Sequence, residues 1–137
     1  MKEEALVFTG EEGNSLVLTP LLLGDDATID LSVHVGVKTR GFVGETDCWI
    51  LREAWSNFAQ AMKRLRDSRQ GEATIESMSP RELHLTVQST DRAGHMAVGG
   101  LVGTNLNGRV ATLEFTPFAF DPSSLPELAR IAASWLA

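Results

Sequence analysis

The chain has 137 residues with 12 basic and 18 acidic side chains, a net charge of −6, and its length suits one domain that buries well over half of its unfolded surface. The acidic balance disfavours nucleic-acid backbones and anionic membranes and favours a basic partner. A lone cysteine, Cys48, excludes an internal disulfide; no apolar run approaches the ~18 residues of a membrane helix, and the opening Met1-Lys2-Glu3-Glu4-Ala5 lacks the pattern of a signal peptide, so a soluble cytoplasmic protein is expected.

Two short apolar runs, 5–9 and 15–22, flank the turn-rich Gly10-Glu11-Glu12-Gly13-Asn14 and read as a hairpin. Gly24-Asp25-Asp26 breaks the chain before a third strand at 29–38, where Leu31, Val33, Val35 and Val37 alternate with polar or small residues. Thr39-Arg40-Gly41 turns into a fourth strand at 42–46. From 47 to 71 the period changes: Leu51, Ala54, Trp55, Phe58, Met62 and Leu65 fall three or four apart, on one face of a helix. Thr46 or Asp47 can cap its start, Gly71 can cap its end, and Lys63, Arg64, Arg66 and Arg69 suit the carboxyl end of its dipole. Buried, each large member of that stripe is worth ~1.5–3 kcal/mol. Cys48 sits in the apolar run Cys48-Trp49-Ile50-Leu51 and reads as a buried structural thiol.

Alternation resumes at 72–77 and, after Ser79-Pro80, at 82–88, where Leu83, Leu85 and Val87 interleave with Glu82, His84, Thr86 and Gln88. Asp91-Arg92-Ala93-Gly94 is a turn, 95–103 a strand, Asn105-Leu106-Asn107-Gly108 a second turn and 110–118 the last strand. Asp121-Pro122, or a capping box from Ser124 and Glu127, opens a closing helix whose apolar side holds Leu125, Leu128, Ile131, Ala132, Trp135 and Leu136. The order ββββ-α-ββββ-α lacks the strand–helix alternation of a parallel sheet. The expected fold is therefore one α+β domain over 1–137, an antiparallel sheet of about seven to eight strands with both helices on one face and the other face in solvent.

Chemistry leaves few marks. His34, His84 and His95 lie in three different strand regions without metal-ligand spacing, and no Gly-x-Ser-x-Gly elbow occurs. Gly99-Gly100-Leu101-Val102-Gly103 lacks the lysine and the following helix of a phosphate loop, so strand glycines for a bulge or a close approach explain it better. Glu76 and Glu82 could be drawn as a glycosidase pair, but nothing apolar around them raises either pKa. No catalytic residue, metal or cofactor is assigned, and the chain is not expected to be an enzyme.

Trp55-x-x-Phe58 with Leu65 and Gly71, Pro80-x-Glu82-Leu83-x-Leu85, Gly94-His95-Met96-x-Val98, and Leu113-x-Phe115 with Asp121-x-x-x-Leu125 together resemble the WapI-type bacterial immunity proteins over residues 42–136. The resemblance implies a non-enzymatic protein that neutralises a cognate polymorphic toxin by occluding its active site; the net charge suits a basic nuclease as the toxin. The expected partner-binding face is the polar side of the strands carrying Glu72, Thr74, Glu76, His84, Thr86 and Gln88. A homodimer contact or plain solvated sheet competes for that face, and a secretion-chaperone-like or small-molecule-binding domain is the alternative reading of the chain.

Overall fold

Period-two alternation builds two antiparallel meanders, each closed by an amphipathic helix. The computed structural model describes residues 4–24, 30–106 and 109–136, without the side chains of 105, 106, 109 and 110. The first sheet runs in chain order through β1 (Leu6–Thr9), β2 (Ser15–Leu22), β3 (Leu31–Thr39) and β4 (Phe42–Ile50), and leads into α1 (Arg52–Ser68). The second sheet takes β5 (Glu72–Glu76), β6 (Leu83–Ser89), β7 (Met96–Leu106) and β8 (Arg109–Phe120) in the same manner; a 3-10 turn (Pro122–Ser124) then enters α2 (Leu125–Ser134). The α+β class and the element order are those expected.

The single sheet of seven to eight strands is corrected to two sheets of four. Alternation fixes which face of a strand is buried and leaves its neighbours open, so one wide sheet and two smaller ones share a sequence signature. One backbone bond, from the Met78 amide to the Trp49 carbonyl at 2.8 Å, ties the end of β4 to the segment after β5. Both apolar sheet faces and both helices feed one contiguous core, in which Trp55, Phe58, Leu65, Leu128 and Trp135 are all buried. The helices meet through Trp55 and Trp135, whose rings stack with centroids 4.4 Å apart, and the Trp55 indole N–H donates to the Ala132 carbonyl at 2.8 Å. Trp135 in turn donates to the Glu4 carbonyl at 2.9 Å, tying the last helix to the chain ahead of β1.

Several boundaries move for local reasons. Thr46, Cys48 and Ile50 are buried while Glu45, Asp47 and Trp49 are exposed, so β4 runs on through the residues expected to cap the helix. Leu51 is thereby the exposed N-cap and not part of the helical stripe. The cap is supplied from afar: the Arg52 amide donates to Asp30 Oδ1 at 3.2 Å, and the Arg52 guanidinium reaches the Leu23 carbonyl. At the other end Arg69, not Gly71, takes the left-handed cap conformation, and its amide bonds the Leu65 carbonyl at 2.8 Å. The closing helix is entered through Asp121, whose carboxylate accepts from the Ser123 amide at 2.9 Å; Ser124 makes no side-chain cap bond. β7 extends through Asn105 and Leu106, while the Asn107-Gly108 turn and the break at Asp25-Asp26 lie outside the described residues.

The glycine run is structural, as its spacing suggests. β8 carries a bulge, with Val98 opposite Phe118 and Gly100 opposite Phe115, which lets Phe115 and Phe118, three apart, both reach the core. A Cβ on Gly99 would stand 2.6 Å from Pro117 Cγ, so the bulge requires glycine on the facing strand.

Candidate functional site

The six residues expected to bind a partner come together as three directly opposed pairs. β5 and β6 align Glu72 with Gln88, Thr74 with Thr86 and Glu76 with His84, while Ala73, Ile75, Leu83, Leu85 and Val87 turn to the core. The threonine hydroxyls lie 3.4 Å apart, and His84 Nδ1 is 3.6 Å from Glu76 Oε2, an ion-pair contact beyond hydrogen-bond length. The face continues across the sheet in register, from His84 to Leu101 and then to Glu114. A shallow pocket of about 450 Å³ opens there between His84, Leu101, Glu114 and Thr116. Glu72, Glu76 and Glu114 are exposed on this face and His84 is half-buried, so a pattern of carboxylates, hydroxyls, an amide and one imidazole is offered on rigid strands. Such a pattern can accept hydrogen bonds from basic groups and donate a few in return.

The other histidines stand elsewhere. His34 Nδ1 lies 2.5 Å from Asp47 Oδ1 across β3 and β4, and His95 Nδ1 lies 2.5 Å from Asp91 Oδ2 in the turn before β7. The His95 side chain, then the backbone amides of His95 and Ala93, hold the Asp91 carboxyl below the usual carboxylate range. Among the described residues, no group of three or more histidine, cysteine, aspartate or glutamate side chains is arranged to hold a metal ion. Glu76 faces His84, whereas the charge of Glu82 acts on Cys48, so the two glutamates drawn as a pair have different neighbours.

Cys48 is buried, as expected. Burial above all, then the charges of Glu82 and Asp47, push its thiol up from 9.0 to about 12. The folded chain therefore holds a proton that the unfolded chain loses, and stability falls as pH rises from 9.0 toward about 12. The difference in urea midpoint between the unaltered chain and Cys48→Ala should shrink across that window, and a thiol reagent should label Cys48 only on unfolding. Rapid stoichiometric labelling of the folded chain would contradict this placement.

Sequence reasoning misses two features. Phe42, Val43, Trp49 and Leu22 are exposed; Trp49 and Leu22 flank Ser32 in one cross-strand row on the outer face of the first sheet. The larger feature is a cleft of about 1030 Å³ between the β1–β2 turn, the β3–β4 turn and β8. Its walls come from distant parts of the chain, so only a change from apolar alternation to charged turns hints at it. The described helices include none long and apolar enough to cross a membrane. No family model, curated protein or solved structure matches this chain.

Proposed function

We propose that the chain is a non-enzymatic binding protein of the immunity type, acting in the cytoplasm without a cofactor, which neutralises a cognate toxin domain by covering its active site. The observation that supports this reading best is the three-pair array on β5 and β6, which gathers Glu72, Thr74, Glu76, His84, Thr86 and Gln88 on one exposed face. A rigid sheet face costs little ordering entropy on docking, and its carboxylates suit a basic nuclease. Occlusion needs no group on this chain to change its covalent state; it needs complementary surface and a few anchors that exclude water. Co-expression should rescue cells from the toxin domain encoded beside this chain, and a toxin domain from an unrelated system should remain lethal. Failure to bind or rescue against the neighbouring domain would remove the immunity reading.

A further inference from the structure

The cleft adjoins the one long strand edge that the second sheet leaves open. β8 is the terminal strand of its sheet, with β7 on one side only. In an antiparallel sheet every second residue of such a strand turns its N–H and C=O outward, where another chain can bond them. Glycines allow the first sheet and its β1–β2 turn to approach β8 closely at two points. A Cβ on Gly44 would stand 2.9 Å from Leu113 Cδ2, and one on Gly10 would stand 2.5 Å from Phe118 Cδ1. Between these two contacts, over roughly 15–17 Å at ~3.4 Å per residue, β8 has no backbone partner other than β7 among the described residues. Pro117 lacks an amide donor and sits in the bulge, so pairing is confined to the stretch before it, residues 113–116. That limit suits a short docked segment and discourages open-ended edge pairing.

The charge of the cleft selects among segments. Glu11, Glu12, Glu114 and Asp121 line it; among the described residues Arg40 is the one base in the lining, its Nε donating to Glu12 at 2.6 Å, while the charge of Arg69 acts on Asp121. Glu11 and Glu114 have no ion-pair partner among the described residues. Phe42 stands at the cleft with 66% of its surface exposed, offering a ring face to a cationic head.

We propose that this cleft docks an extended basic peptide segment, which adds as a short antiparallel or parallel strand to β8 at residues 113–116. Backbone bonds to β8 supply orientation, alternate side chains of the segment pack toward Phe42, and its basic groups meet Glu11 and Glu114. The inference stands apart from the reading of the β5–β6 face. Glu114 borders both surfaces, so the test uses Glu11 and Phe42.

The measurement is a titration of the isotope-labelled chain with a capped octapeptide alternating lysine and valine, read by backbone amide shifts. Shifts should centre on residues 113–116 and the two turns and saturate below about 1 mM. Glu11→Lys or Phe42→Ala, each checked for an otherwise unchanged spectrum, should weaken binding by about tenfold. An octapeptide alternating glutamate and valine, and the basic octapeptide methylated on every backbone amide, should not bind. The proposal is overturned if either control peptide binds as well as the basic one, if shifts fall elsewhere, or if saturation is not reached. Equal shifts from spermidine would make the cleft a polyamine pocket, and the same shifts on concentrating the protein alone would make it a self-association edge; both outcomes overturn it.

Discussion

Trp55→Ala should lower the unfolding free energy by about 3–5 kcal/mol, through lost burial and the cavity left behind. Trp55 is fully buried, stacks on Trp135 and bonds the Ala132 carbonyl, so one truncation opens the contact between the two helices and strands an acceptor in the core. A loss of this size is a large share of the stability of a domain this long. Denaturant titration checks it, and the Trp55→Ala, Trp135→Ala double variant should lose less than the two single losses added together, because the rings share one contact. A midpoint close to that of the unaltered chain would mean that the two halves are not held together through these helices.

Gly100→Ala should be as damaging by a different route. Gly100 has a φ of +149°, and a Cβ there would stand 1.9 Å from the His84 carbonyl oxygen, a backbone atom that cannot swing aside. Strain and overpacking together should cost about 4 kcal/mol. Gly36→Ala is the matched control: Gly36 also lies in a strand, has open space at its Cβ position and should change stability by about 0.5 kcal/mol or less. Equal effects at the two positions would show that β6 and β7 do not approach as closely as described. Because Gly100 lies against the backbone of His84, a tolerated substitution should also disturb the His84 end of the polar face.

Element order and core were legible because they depend on short-range periodicity. Trp55, Phe58, Met62 and Leu65 fall on one helical face, and Leu83, Leu85 and Val87 on one strand face, whatever lies opposite. The division into two sheets was not legible, since it depends on where β4 ends relative to β5, and those strands carry the same alternation that a continuous sheet would. The start of α1 misled for a related reason. Asp47 and Thr46 are good caps by type, yet the alternation of Thr46, Cys48 and Ile50 keeps them in β4, and the actual cap comes from Asp30. Arg69 holds a conformation that favours glycine while Gly71 stands two residues further on, a displacement that local sequence preference does not encode. The polar face was readable residue by residue, because Glu72, Thr74 and Glu76 share a phase and so do His84, Thr86 and Gln88. Their pairing follows from the register of β5 on β6. The cleft beside β8 was not readable, since Glu11, Phe42 and Glu114 approach one another only through the packing of two hairpin turns against a strand of the other sheet.

The proposal that the β5–β6 face binds a toxin is tested most directly by association kinetics with the purified domain of the toxin proposed as cognate. Glu72→Lys with Glu76→Lys should leave the unfolding midpoint nearly unchanged, because both carboxylates are exposed. The same double reversal should slow association by about tenfold or more at low salt and flatten its dependence on ionic strength. An unchanged association rate and salt dependence in the well-folded double variant would contradict the account and place the interface elsewhere on the molecule.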